Sequence, residues 1–88
     1  MTARFALGRL LQTPGVQASV PAPALAAALE RHVAGDFGEL CPEDRAANER
    51  AIADDARVLS SYRFNDVEFW IITEADRSCT TALLPSEY

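Results

Sequence analysis

The chain has 88 residues and a formal net charge of −5, from 13 acidic residues and 8 that are lysine or arginine, all of them arginine. Its hydrophobic share of 49% argues against disorder, and its length suits a single domain over residues 1–88. The acidic balance disfavours direct nucleic-acid binding, because phosphate contacts dominate that affinity, and favours a protein partner with a basic surface.

The composition also bears on location and on metal binding. No apolar run approaches about 20 residues, so we expect no membrane span, and residues 1–15 lack the apolar segment of a signal peptide, which predicts a cytoplasmic protein. Cys41 and Cys79 are then expected to stay reduced. One histidine and no clustered Cys or His spacing predict no metal site, and nothing points to a cofactor.

The first predicted element covers residues 4–11, whose alternation suits a strand or a short helix. Gly8 is a poor residue for a helix interior, and Thr13-Pro14-Gly15 stops the segment cleanly, so we favour a strand. It would add a fourth strand to the sheet described below, at an edge that the sequence does not specify. Residues 14–18 suit one helical turn.

A helix is predicted over residues 23–34, with Pro23 at its first position and Gly35 as its C-terminal cap. Its apolar stripe has helical spacing and consists of Leu25, Ala28, Leu29, His32 and Val33. This places His32 in or beside the core, where a lone histidine is usually a structural side chain with its hydrogen bonds satisfied.

A second helix is predicted over residues 42–56, starting at Pro42. Its apolar side is alanine-rich and weak, which suits a helix that lies across a sheet edge. The i,i+4 spacing predicts the ion pairs Arg45–Glu49 and Arg50–Asp54. The outer side carries five carboxylates, at Glu43, Asp44, Glu49, Asp54 and Asp55. This acidic helix face is either a solvated surface or a docking surface for a partner.

Residues 57–84 predict a three-stranded antiparallel meander, which makes the fold α+β with a sheet of three to four strands covered on one face by the two helices. Asn65-Asp66 suits a two-residue turn, and the second turn centres on Asp76-Arg77. The resulting register sets Arg57 opposite Glu74 and Arg63 opposite Glu68, and a slip of one residue would lose both pairs.

The register also gives the sheet two different faces. The core face holds most of the apolar residues. The other, which we call the outer face, has an apolar centre at Leu59, Trp70, Ile72 and Leu83 inside a charged border. Such a patch is typical of a partner surface, unless the loop of the N-terminal strand or the C-terminal tail, ending at Tyr88, covers it. At the second turn, Asp76 and Arg77 could bind a partner or simply stabilise the turn.

Several strings of the chain resemble a family of short proteins carried by plasmids and integrative conjugative elements. They are FALGRLLQTPG near the start, then RHVAGDFGEL, RVLSSY, IITEADRSCTT and LLPSEY. The resemblance spans nearly the whole chain but implies no activity. It implies a mobile-element setting, in which small acidic proteins often block host defence systems.

Three classes of function follow. The first is an acidic protein-binding module, acting through the acidic helix face or the outer face, with inhibition of a host defence or nucleic-acid-handling protein as its role. The second is a small metal-independent RNase or toxin, in which His32, Arg77 and Thr80 would carry acid–base chemistry and charge stabilisation. The third is a structural homodimer formed through the outer face.

Overall fold

The computed structural model describes residues 3–88. Its helices are α1 (Pro14–Ser19), α2 (Ala22–Ala34) and α3 (Pro42–Ala53), and a short 3-10 turn covers Pro85–Glu87. Its strands are β1 (Arg9–Gln12), β2 (Val58–Phe64), β3 (Val67–Thr73) and β4 (Cys79–Leu83). They form one four-stranded sheet in the order β1-β4-β3-β2. The predicted α+β class is confirmed.

The predicted meander is confirmed in its register. Strand β2 pairs antiparallel with β3 from Val58 opposite Thr73 to Phe64 opposite Val67, and β3 pairs antiparallel with β4. The first turn works as predicted, because Asn65 and Asp66 both adopt a positive φ, of 47° and 64°. A two-residue turn of this kind has the twist that a hairpin needs.

The first strand is shorter than predicted and pairs in the other direction. Instead of residues 4–11, it covers Arg9–Gln12 and lies parallel to β4, so the sheet is mixed rather than wholly antiparallel. The strand does not begin earlier because Gly8 has a φ of +65°, which is outside the extended range of a strand. Only glycine fits at this position, since a Cβ there would lie 2.4 Å from the Arg77 carbonyl oxygen. Before Gly8, the chain turns towards α2, where the Arg4 amide donates to the Val33 carbonyl.

The main core lies between α2 and the core face of the sheet. Ala28 of α2 packs with Tyr62, Phe69 and Ile71, and Val16 of α1 closes one end. A smaller cluster joins Phe37 and Ala51 to Val58 at the β2 side. The stripe predicted for α2 therefore points inwards, and Gly35 caps the helix with a φ of +91° as expected.

Helix α3 lies at the edge of the sheet formed by β2. The Asn48 side chain donates to the Leu59 carbonyl over 2.6 Å and accepts from the Leu59 amide over 3.2 Å. Two residues further along β2, the Ser61 amide donates to the Phe37 carbonyl, and the Ser61 carbonyl accepts from the Glu39 amide. These bonds occupy the outward groups of β2 at Leu59 and Ser61, which protects an edge that would otherwise invite pairing.

Gly38 makes this edge closure possible. It forms a bridge with Ser61 at a φ of +76°, and a Cβ at this position would lie 1.9 Å from the Ser61 carbonyl oxygen. Only glycine lets the loop backbone approach β2 this closely.

The predicted ion pairs are only partly present. Arg57 contacts Glu74 at 3.2 Å as predicted. Arg63 lies opposite Glu68 but contacts Glu39 at 3.6 Å instead. The two pairs predicted along α3 are wrong, since no ion pair among residues 3–88 joins Arg45 to Glu49 or Arg50 to Asp54.

Tertiary contacts explain the missing pair at the start of α3. Arg45 donates to the Gly38 carbonyl. Glu49 accepts two bonds from Arg4, over 2.6 and 2.8 Å. Arg45 and Glu49 therefore bond to groups outside α3 instead of to each other.

Candidate functional site

His32 is fully buried and bonded through both ring nitrogens. Nδ1 lies 2.5 Å from the Ser60 hydroxyl, and Nε2 lies 2.9 Å from the Thr73 hydroxyl. The Thr73 hydroxyl contacts that of Thr80 at 2.8 Å, and Thr80 donates to the Leu7 carbonyl over 2.7 Å. The result is a continuous hydrogen-bonded chain through the core.

The direction of this chain fixes the tautomer of His32. The Leu7 carbonyl can only accept, so Thr80 uses its one proton there and must accept from Thr73. Thr73 has then used its own proton and must accept from Nε2–H of His32. The neutral ring is therefore protonated on Nε2 and accepts from Ser60 at Nδ1. Burial lowers the pKa of His32 to about 4, because the charged form would lose its hydration.

The three residues proposed for an RNase site are not brought together at an opening. Thr80 is 1% exposed and His32 is fully enclosed. The Arg77 guanidinium donates to the backbone carbonyls of Ala51, Ala56 and Glu74. A general base must come within hydrogen-bond reach of its substrate, and this arrangement offers a substrate no approach to the imidazole.

The second turn is held by its own side chain. The Asp76 carboxylate accepts from the Ser78 amide over 3.0 Å, and bonds to Ser78 lower the pKa of Asp76. Arg77 follows at a φ of +60°, and its guanidinium points back to α3. This geometry favours the structural interpretation of the turn over a binding role.

The outer face of the sheet is largely covered by the chain itself. Ile72 and Leu83 are only 4% and 6% exposed. The ring of Tyr88 meets that of Trp70 edge-on at 5.6 Å between centroids, and Arg57 donates to the Tyr88 hydroxyl. The C-terminal tail therefore packs on part of this face, although the Tyr88 side chain itself stays 71% exposed.

One carboxylate fastens this tail to the rest of the fold. Glu87 accepts from the Thr13 hydroxyl over 2.5 Å and from the Gly15 amide over 3.0 Å. It also accepts from the Leu84 amide over 2.9 Å, and these bonds lower the pKa of Glu87. Trp70 and Leu59 remain half-buried on this face, so the apolar centre predicted from sequence is mostly internal.

The acidic helix face is exposed at all five of its residues. Glu49 is paired with Arg4. The other four carboxylates form no ion pair with the residues that the structure describes; they are Glu43, Asp44, Asp54 and Asp55. Glu43 and Asp44 lie in the first turn of α3, which Asn48 and the buried Ala51 hold against the sheet. The helix ends at Ala53 rather than at residue 56 as predicted, so Asp54 is its C-cap and Asp55 follows it with a φ of +53°.

Sequence reasoning missed one surface, at the free edge of β1. Leu10 and Leu11 are 54% and 44% exposed, although both lie in a strand. Adjacent residues in a strand point to opposite faces of the sheet, so the pair Leu10-Leu11 places an apolar side chain on each face. In a short strand that stops at Thr13-Pro14-Gly15, this pair was the signal in the sequence for an exposed apolar edge.

Within residues 3–88, no group of three or more His, Cys, Asp or Glu side chains is placed to hold a metal ion. No helix in this part of the chain combines the length and apolar character that crossing a membrane requires. Comparison with protein-family models, with curated proteins and with solved structures finds no match to this chain.

Proposed function

We propose that this chain is a protein-binding module that docks onto a basic surface of a partner protein through the acidic helix face. The observation that carries this proposal is the pair of exposed carboxylates in the first turn of α3, Glu43 and Asp44, which form no ion pair with residues 3–88. Charges arranged in this way steer association with an oppositely charged surface.

The rigidity of α3 adds to this argument. The helix is anchored by the Asn48 bonds to β2, and the Arg4–Glu49 pair ties it to the N-terminal segment. A surface fixed in advance loses less conformational entropy on binding. The alternative of an RNase gains no such support, because His32 and Thr80 are enclosed.

The class of partner follows from the charge and from the resemblance to mobile-element proteins. A host defence protein or a nucleic-acid-handling protein has a basic surface that normally holds DNA or RNA. We propose that the acidic helix face occupies such a surface and so inhibits its owner. This module would need no chemistry of its own, since competition for the basic surface is enough.

The test is capture of partners from host lysate with three purified proteins. One is the wild type, one carries Glu43→Gln with Asp44→Asn, and one carries Glu30→Gln with Asp66→Asn as a control. Both variants remove one Glu and one Asp charge, so they change the net charge equally. Glu30 and Asp66 are exposed and lie outside α3, so the control tests charge alone.

We expect the wild type and the control to retain the same amount of one protein and the α3 variant to retain less of it. With each exposed charge pair contributing about 0.5 kcal/mol, two lost pairs correspond to about fivefold weaker binding, measured by titration of the captured protein. Equal affinity for all three proteins would contradict docking through the acidic helix face.

A further inference from the structure

The two edges of the sheet differ in how their backbone groups are used. At β2, the outward groups of Leu59 and Ser61 are bonded by Asn48 and by the loop around Gly38. At β1, the pairing with β4 leaves the amides and carbonyls of Leu10 and Gln12 pointing away from the sheet. The hydrogen bonds found in residues 3–88 give these four groups no partner.

An apolar groove runs beside this open edge, between β1 and α2. Its volume is about 120 Å³, and the side chains of Leu10, Gln12, Leu25 and Leu29 line it. A second groove, of about 360 Å³, continues from it along α2 past Ala26. Proteins usually cover or charge such an edge, since a free row of backbone groups beside apolar side chains templates further strand pairing.

The distribution of charge around these grooves favours one kind of occupant over another. No ionisable side chain lines either groove, although 24% of the residues are charged and the net charge is −5. A basic partner gains nothing here, because the region offers no carboxylate. A second copy, which the acidic surface elsewhere would repel, can approach this region without unfavourable charge contacts.

We propose that β1 and the side of α2 that faces the groove form the interface of a homodimer, with the two β1 strands antiparallel about a two-fold axis at Leu11. In this register, Leu10 lies opposite the partner's Gln12, and the four outward backbone groups of each copy are all bonded. The apolar stripes of the two α2 helices would meet above the joined strands. The surface is self-complementary, as a two-fold interface requires.

The dimensions of the region set the strength of the dimer. A strand of four residues is about 13 Å long and a helix of 13 residues about 20 Å. A contact region with sides of about 13 and 20 Å is smaller than the roughly 800 Å² per partner of a standard interface. The dimer should therefore be weak and depend on protein concentration.

The experiment is sedimentation velocity of the full chain from about 5 to about 500 µM, because mass action must move the equilibrium over this range. Gln12→Pro removes the outward amide of Gln12 together with its side chain beside the groove, and keeps the pairing with β4, since proline is tolerated at a strand edge. Ala26→Lys places a charge beside the groove. Ala27→Lys is the matched control, because Ala27 is also exposed on α2 but faces the side of Arg31 and Tyr62.

We expect a concentration-dependent dimer for the wild type and for Ala27→Lys, with equal dissociation constants. Gln12→Pro and Ala26→Lys should raise the dissociation constant by at least about tenfold, since each disrupts edge pairing or its apolar flank. Amide exchange at Leu10 and Gln12 should slow at high concentration in the wild type and in Ala27→Lys, but not in Ala26→Lys. Unchanged circular dichroism would show that each variant still folds.

Two results would overturn the proposal. A wild type that stays monomeric throughout the range would leave the edge to a strand from another protein. A dimer that persists equally in Ala26→Lys and Gln12→Pro would use another surface. Neither result touches the proposed docking through α3, which lies at the opposite edge of the sheet.

Discussion

The imidazole of His32 makes the stability of this fold depend on pH. The folded state holds the ring neutral, with a pKa lowered from 6.5 to about 4 by burial. The unfolded chain therefore binds more protons than the folded protein between pH 6.5 and pH 4. Because protons favour the state that binds more of them, stability falls as the pH drops through this window and levels off below it.

We expect the wild type to lose about 3 kcal/mol of unfolding free energy between neutral pH and the lower end of this window. Urea unfolding at a series of pH values measures this loss. His32→Gln, which cannot titrate, should be less stable at neutral pH but nearly independent of pH in the same window. The same slope in both proteins would mean that other groups carry the effect.

The carboxylates should act at lower pH and can be distinguished from His32. Glu87 and Asp76 have pKa values lowered by hydrogen bonds from ordinary values of 4.5 and 3.8. Their contribution is present above these values and is lost as the pH falls through the folded-state pKa. We therefore expect the free energy of unfolding to fall in two phases as the pH is lowered, the first from His32 and the second from the carboxylates.

At the scale of the element, Asn48 joins α3 to the sheet. It is 5% exposed, and its amide serves both backbone groups of Leu59. Since the apolar side of α3 is mostly alanine, little burial is available to replace these bonds. Asn48 is therefore the main link between α3 and the β2 backbone, alongside the Arg4–Glu49 pair and the buried Ala51.

We expect Asn48→Ala to reduce the free energy of unfolding by about 2 kcal/mol, because it removes two hydrogen bonds and leaves backbone groups unpaired. Urea unfolding gives the value directly. Arg50→Ala, an exposed change on the same helix, should stay within about 0.5 kcal/mol of the wild type. Similar losses in the two variants would argue against the role given to Asn48.

At the scale of the whole molecule, the two proposed surfaces lie at opposite edges of one sheet. Helix α3 lies beside β2 at one edge, and the open edge belongs to β1. A dimer through β1 would place the two acidic helices at its outer ends, where their mutual repulsion is smallest. Each surface would then remain free to act while the other is occupied.

Salt should affect the two kinds of binding in opposite directions. Raising the ionic strength screens the repulsion between two copies of charge −5, so the homodimer should tighten. It also screens attraction to a basic partner, so binding through α3 should weaken. Sedimentation and partner titration at low and high salt test both trends, and a dimer that weakens with salt would contradict an interface formed by backbone pairing and apolar side chains.

The sequence specified the meander and its register without help from the rest of the fold. Asn65-Asp66 fixes the first turn locally, and alternation along residues 57–84 leaves one register that buries the apolar residues on one side. The helix starts at Pro23 and Pro42 were likewise predicted to within one residue. These features depend on neighbours in sequence, so local patterns contain them.

Tertiary structure decided what depends on groups distant in the chain. The parallel pairing of β1 with β4 joins residues 9–12 to residues 79–82, and no local pattern records the partner of an edge strand. The ion pair of Glu49 with Arg4 and the contact of the Tyr88 ring with Trp70 also join residues far apart in the sequence, so no local pattern predicts them. Which apolar and charged groups stay exposed is settled only when the chain ends and loops reach their places, so the open edge at Leu10 and Gln12 became visible only in the folded chain.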